Sequence, residues 1–281
     1  MTSPPAFVVP AREKLSTVLR CLDALEAHAP DGAPVFLINV GYSEQTLAAL
    51  RARSACRTEL RIIDGGPGPM LANQAVNRAL AHVSEATVCV VENDVVVQPG
   101  FWAEMAATLE ELEADVVSPT ILDARSGRIH FDPPVSALTL AADGYRSTLV
   151  RRPKPAWPRV AGRRRIQHLE KHCFAASLDA LSRLLPFDEQ VVTHTDIDMS
   201  LACHQAGLRL AMAPAAEVAF HGPPVEDEDL DFFAHRWDLE RAERSTKRLL
   251  SKWQLHEDHD YLEFVHEMRE FIPPARRGPS H

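Results

Sequence analysis

The sequence predicts an α/β fold: a mostly parallel sheet flanked by helices, with a helical extension at the C-terminal end. Three observations carry that prediction. Short apolar runs alternate with helical periods three times before a fourth run, the pattern of a parallel sheet joined by right-handed crossovers. The fourth run, Val88-Cys89-Val90-Val91, is apolar without a break, as expected of a strand buried on both faces. It leads straight into Glu92-Asn93-Asp94, and Pro99-Gly100 closes the segment. Two carboxylates therefore stand at a strand's C-terminal end, the edge at which open α/β sheets bind ligands.

Taken in order, Ala6 to Val9 reads as a short buried strand ending at Pro10. Leu15, Val18, Leu19, Leu22 and Leu25 give a helical face over Lys14 to Ala29, which Pro30-Asp31-Gly32 breaks. Pro34 to Gly41 is a second strand, Glu44 to Arg53 a short helix, and Leu60 to Asp64 a third strand. Leu71 to Val83 is helical, and the central strand follows. Phe101 to Glu113 is an amphipathic helix and Ala114 to Pro119 a further strand. From Ile121 to Gly162 the pattern dissolves, with a basic run from Arg151 to Pro158 extended by Arg159, Arg163, Arg164 and Arg165. Residues 145–165 are expected to form a mobile basic loop, either solvated or closing on phosphates. Order returns with a strand at His172 to Ala176 and a helix at Leu178 to Leu185. Asp196 opens a helix that ends at Ala206-Gly207. Leu208 to Met212 and Glu217 to Phe220 are strand pieces separated by Pro214. Glu226 to Asp229 reads as a solvated helix start, and a charged helical tail continues to Ile272. Its Trp253, Tyr261, Phe264 and Phe271 are expected to pack on the main domain, and Arg276 to His281 to be disordered.

Composition narrows the function. With 281 residues and 46% hydrophobic content, the chain can bury one large core. A formal net charge of -9 argues against a nucleic-acid-binding surface. The five cysteines are odd in number, scattered and never in C-x-x-C, as free thiols of a reducing compartment would be. Met1-Thr2-Ser3-Pro4-Pro5 lacks the plan of a signal peptide, and no apolar stretch nears the roughly 20 residues of a membrane helix. The expectation is a cytoplasmic protein with no transmembrane segment, compatible with peripheral membrane contact. No G-x-G-x-x-G follows a strand, which argues against a dehydrogenase. Pro10-Ala11-Arg12-Glu13 offers no glycine-rich phosphate loop, which argues against a nucleotidyltransferase.

Two acidic groups stand out. Glu92 and Asp94, spaced i, i+2 around a strand end, suit a hard divalent cation. The same pair would also serve as an ordinary solvated turn. Thr195, Asp196 and Asp198 sit where a helix N-terminus favours acids, so they read equally as caps or as site residues.

Together these landmarks resemble the family 2 nucleotide-sugar-dependent glycosyltransferases of GT-A (Rossmann-like) fold, over roughly Phe7 to Trp237. The strand into Pro10-Ala11-Arg12-Glu13 is similar to that family's entry to the nucleotide pocket. Asn39-Val40-Gly41-Tyr42-Ser43-Glu44-Gln45-Thr46 resembles its Asp-x-Gly-Ser-x-Asp-x-Thr turn. Leu71-Ala72-Asn73-Gln74-Ala75 resembles its Ala-Arg-Asn-x-Gly helix, and Glu92-Asn93-Asp94 occupies the place of its Asp-x-Asp metal motif. Phe187-Asp188-Glu189, then Asp196-x-Asp198 and Ala206-Gly207, is similar to its Phe-Asp-Glu…Glu-Asp-x-Asp-Leu…Gly block. His221 stands where a strand-ending histidine can ligate the metal. The chain departs from the pattern at Asn39 (for Asp), Ala75 (for Gly), Glu92 (for the first Asp) and Thr195 (for Glu).

The resemblance implies a hexosyltransferase that moves a sugar from a nucleoside-diphosphate sugar to an acceptor hydroxyl, on a saccharide, a lipid-linked molecule or a small molecule. It implies an inverting reaction with Mn²⁺ or Mg²⁺ held by Asp94, Glu92 and His221. Asp196 would be the catalytic base, and Pro10, Arg12, Asn39, Asn73 and Asn93 would line the nucleotide. His194 and Asp198 are second-choice site residues, more ordinarily a loop histidine and a helix-start acid. Residues 1–225 would form the transferase domain, with 1–119 binding the donor and 120–225 the acceptor, and 226–281 the helical extension. The substitutions also leave room for a binding module on the same scaffold that has lost its chemistry.

Overall fold

Residues 4–131, 137–141, 144–148, 162–256 and 260–277 are described by the structure, a computed structural model. The opening three strand–helix units form as the periodicity predicts: β1 (Ala6–Val9), α1 (Val18–His28), β2 (Val35–Asn39), α2 (Glu44–Cys56), β3 (Leu60–Asp64), α3 (Ala72–Leu80), then β4 (Thr87–Val91). The four strands are parallel in the order β4-β1-β2-β3. All of β1 and Val88 to Val91 of β4 are buried. Each such side chain contributes about 1.5–3 kcal/mol by leaving water, which is why these runs carry no polar residue until they reach the sheet edge.

The rest of the sheet is mixed. β5 (Val95–Val97), α4 (Phe101–Glu111), β6 (Val116–Asp123), β7 (Ile129–Phe131), β8 (Ala137–Ala141), β9 (Gly144–Thr148), β10 (Arg164–Arg165) and β11 (Cys173–Ser177) come next. They are followed by α5 (Leu178–Ser182), α6 (Thr195–Gln205), β12 (Leu210–Phe220), α7 (Leu230–Arg236), α8 (Leu239–Trp253) and α9 (Glu263–Arg269). β11 lies between β4 and β6 and runs antiparallel to both. Its start therefore meets the end of β4, with Cys173 opposite Val91. β12 runs parallel to β6 and pairs its far end with β5, Phe220 opposite Val95. The Glu92–Asp94 loop is thus flanked by the residue before β11, His172, and the residue after β12, His221.

Several expectations change. The two strand pieces around Pro214 are one strand whose register shifts between Ala213 and Glu217. Order does not end at Ile121: β6 continues to Asp123, and β8 and β9 form a hairpin. Within the expected basic loop, Gly144–Thr148 and Arg164–Arg165 are strands, while Arg151 to Pro158 and Arg159 lie outside the described residues. Arg163 pairs with Glu104 at 2.9 Å and with Glu111, both on α4. Arg276 pairs with Asp231 at 2.6 Å and Arg277 donates to the Ile272 carbonyl at 2.6 Å, while residues 278–281 of the expected tail lie outside the described residues. Phe271 is largely exposed.

The acidic stretch before α7 is not wholly solvated. Asp229 is buried and accepts from Leu15 N at 2.7 Å, Ser16 N at 2.8 Å and Ser16 Oγ at 2.8 Å. This one carboxylate ties the C-terminal helices to the loop after β1 and delays α1, which starts at Val18 and not at Lys14. Asp229→Ala would leave those donors buried and unmatched, and is expected to cost roughly 2–4 kcal/mol. The midpoint of urea unfolding measures the loss.

Candidate active site

The loop after β4 draws its geometry from the loop after β1. Asn93 N donates to the Pro10 carbonyl at 2.9 Å, Arg12 N donates to Asn93 Oδ1 at 3.1 Å, and Asn93 Nδ2 donates to the Lys14 carbonyl at 2.5 Å. Glu13 N donates to Asp94 Oδ2 at 3.1 Å. Asn93 therefore spends its polar groups on holding Arg12, Glu13 and Lys14 beside the acidic pair. All three lie almost entirely out of solvent.

Arg12 and Glu92 form the centre of a buried charge network. Arg12 Nη1 is 3.1 Å from Glu92 Oε1 and 3.5 Å from Thr195 Oγ1, and Arg12 Nε is 3.3 Å from Glu13 Oε1. His172 Nδ1 is 2.6 Å from Glu92 Oε2, and His172 Nε2 is 4.0 Å from Glu170. Burial works against the Arg12 charge, but Glu92, Glu13, Glu170 and Asp196 hold it and push its pKa up. Burial likewise opposes ionisation of Glu92, yet Arg12, His172 and Lys171 keep it below the usual carboxylate range. His172 is disfavoured as a cation by burial but raised on balance by Glu170 and Glu92.

Asp94 is the exception. Burial, then the charge of Glu92, pushes its carboxyl up to about 7. Its Oδ1 is buried with no hydrogen-bond partner. One ligand atom from each of Glu92, Asp94 and His172 lies within 4.8 Å of the others. An orphaned carboxylate oxygen beside a second carboxylate and an imidazole fits a divalent cation.

The site draws together more than was anticipated. His168, Glu170, Lys171 and His172 are all buried in the segment leading into β11. Lys171 Nζ sits 2.5 Å from Asn73 Oδ1 and 4.7 Å from the centre of the Phe187 ring, and burial lowers its pKa to about 8. Asp196, at the start of α6, is buried with Oδ2 3.9 Å from His168 Nε2, and its charge acts on Arg12 and Lys171. In the sequence these four residues stood beside a basic stretch and an apolar strand, and the dense His-x-Glu-Lys-His spacing was the one signal that could have marked them.

Other expected residues hold different places. His221 N donates to the Asp94 carbonyl at 2.8 Å, but its imidazole Nδ1 lies 3.2 Å from Arg20 Nη1, and burial and Arg20 lower its pKa. Among the described residues the histidine that joins Glu92 and Asp94 is His172. Asn39 ends β2, where its Oδ1 accepts from Gly41 N at 3.2 Å. Its carbonyl approaches Gly65 so closely that a Cβ there would lie 2.2 Å from the oxygen, so only glycine fits. Asn73 donates to the carbonyls of Asp188 at 2.8 Å and Val191 at 3.1 Å, holding the loop toward Asp196. Asp198 accepts from Lys252 Nζ and Trp253 Nε1, each at 2.7 Å. Pro10 is buried, its carbonyl engaged by Asn93.

A family model described as "Glycosyltransferase like family 2" matches residues 4–243. Among solved structures, GalNAc-T7 with UDP, GalNAc and Mn²⁺ matches with TM-score 0.61 at 13% identity, covering 95% of this chain and 54% of that one. TarS from S. aureus (residues 1–349) in complex with UDP-GlcNAc matches with TM-score 0.60 at 14% identity, over 98% of this chain and 83% of that one. The mannosyltransferase PcManGT from Pyrobaculum calidifontis in complex with GDP-Man and Mn²⁺ gives TM-score 0.57 at 14% identity, over 98% and 73%. This structural likeness, at such low identity, shows a shared fold alone, and the chain spans about half the length of the first of these proteins. No curated protein matches. Among the described residues no helix is long and apolar enough to cross a membrane.

Proposed function

The chain belongs to glycosyltransferase family 2, and from that premise we propose that it transfers a sugar from a nucleoside diphosphate to an acceptor hydroxyl, with inversion and with help from a divalent cation. One observation carries the reading: Asp94, with its orphaned oxygen, and Asp196 belong to one buried charge network centred on Arg12.

Asp94 would hold the cation, with Glu92 and His172 as its neighbours in place of the His221 that the resemblance implies. When bound, Mn²⁺ or Mg²⁺ neutralises the charge that grows on the departing diphosphate. Arg12 keeps Glu92 ionised, so that the site retains its negative charge. Asp196 would take the proton of the attacking hydroxyl as its oxygen bonds to the anomeric carbon, while the bond to the diphosphate breaks and carries its electron pair away. One base opposite the leaving group would imply direct displacement, as the resemblance also implies. Asn39, Arg12 and Pro10 would border the nucleotide, as the resemblance implies, and Asn73 and Asn93 would shape that pocket by holding its loops. Residues 1–225 would make up the transferase domain.

A second reading, a binding module without chemistry, draws on the engagement of Glu92 by both Arg12 and His172. Thermal-shift measurements with UDP-, GDP- and dTDP-sugars, each with and without Mn²⁺, test the donor assignment. A true donor with Mn²⁺ at 100 times its dissociation constant is expected to stabilise the fold by about 2.7 kcal/mol. Release of the nucleoside diphosphate in the presence of acceptor separates the enzyme from the module. No stabilisation by any nucleotide sugar would sink the enzyme reading and leave a module that binds a partner or polysaccharide.

A further inference from the structure

The loop that delivers Asp196 is held by helices that come long after it in the chain. Ser245 Oγ, buried on α8, accepts from Val192 N at 2.9 Å and Thr193 N at 3.1 Å, and shares a hydrogen bond with Thr193 Oγ1 at 3.1 Å. Arg236 of α7 donates to the Val192 carbonyl. His194, the residue capping α6, has φ +53° and offers no side-chain cap. Left-handed backbone is uncommon outside glycine, though histidine adopts it more readily than most residues, and the surroundings of His194 hold it in place. Here its Nε2 lies 2.7 Å from the Tyr261 carbonyl, with the Tyr261 ring edge-on at 5.2 Å. Just beyond Asp196, Asp198 receives both the Trp253 indole N–H and the Lys252 ammonium. Val191, Ile197 and Leu201 then pack with Leu249, Trp253, Leu255 and Tyr261 in a small apolar core separate from that of the sheet.

We infer that α8 and the Tyr261 segment form the positioning frame of the base: Ser245, Trp253 and the Tyr261 carbonyl fix the backbone on both sides of Asp196. The inference rests on the reading of Asp196 as that base. A start to α6 that lacks its own cap, on a left-handed residue, cannot set the carboxylate's direction by itself. Five residues later in the chain, Arg236, Ser245, Lys252, Trp253 and Tyr261, supply what the helix start lacks. Ser245, Trp253 and His194 would then be positioning residues, acting through the backbone that carries Asp196 and not on the substrate.

Ser245→Ala removes the hydroxyl that gathers Val192 and Thr193. His194→Asn keeps a residue tolerant of left-handed backbone and drops the contact to Tyr261. Trp253→Phe with Lys252→Met keeps an aromatic ring in the apolar core and removes both donors to Asp198. Each is expected to lower kcat about 10–100-fold, because small misplacement of a reacting group costs on that scale. Donor KM and donor-induced thermal stabilisation should stay within about threefold of wild type on the same argument. Ser245→Ala and His194→Asn each delete little bulk, so they test the frame even if the double variant does not fold. Variants that transfer at the wild-type kcat overturn the frame. So does a loss of kcat matched by equal losses of donor binding and melting temperature, which is a general structural defect. If wild type transfers nothing, or Asp196→Asn turns over normally, the underlying reading fails instead.

Discussion

Asp196→Asn is expected to lower kcat roughly 10²–10⁴-fold, the range over which a positioned general base contributes. The substitution preserves shape and removes the ability to accept a proton. Asp196 is buried at the start of α6, beside His168 and within the field of Arg12 and Lys171. Its negative charge therefore also helps to balance two buried cations. Donor affinity should change little, since the proposed cation site lies at Asp94, Glu92 and His172. Single-turnover kinetics with saturating donor would separate these effects. Wild-type kcat in the variant would remove Asp196 from the chemistry.

Asp94→Ala is expected to abolish the dependence on divalent cation and to reduce kcat/KM by roughly 10³-fold, the upper range for removing one preorganised group facing the departing charge. In wild type, chelation with EDTA should mimic the substitution, and added Mn²⁺ should restore turnover only where Asp94 is present. The physical basis is the disparity within the pair. Glu92 is already engaged by Arg12 and His172, whereas Asp94 keeps a buried oxygen with no partner. A protein whose turnover ignores EDTA would overturn the cation assignment and leave the positive charge to buried side chains such as Arg12 and Lys171. Glu92→Gln should then be the more damaging change, because it would strand the Arg12 guanidinium without its closest carboxylate.

Much of this architecture could be read along the chain. Buried strands announce themselves as unbroken apolar runs, so β1, β2 and β4 fall where Val8, Leu37 and Val90 place them, while β3, interrupted by Arg61, is only partly buried. The change from Val91 to Glu92 marks the sheet edge because a carboxylate inside the strand would lose its water without compensation. Asp196 was recognisable in the same way, as an acid at a helix start followed by apolar spacing.

His172 was not recognisable as a neighbour of Glu92. An apolar strand looks the same in sequence whether it runs up or down the sheet, and the antiparallel course of β11 brings His172, and not the end of that strand, to the acidic pair. Asp229 differs from expectation for a related reason. It resembles a solvated helix-start acid, and only the distant partners Leu15 and Ser16 turn it into a buried anchor. Asp198 is the helix-start acid its position implies, and its link to Trp253 and Lys252 is what the chain order does not reveal. Thus the amino-acid order by itself determined which segments would be buried and where the acids would interrupt them, since those follow from local transfer free energies. Strand direction and the docking of the C-terminal helices decided which side chains meet, since such pairings are paid for only when the whole chain has closed on itself.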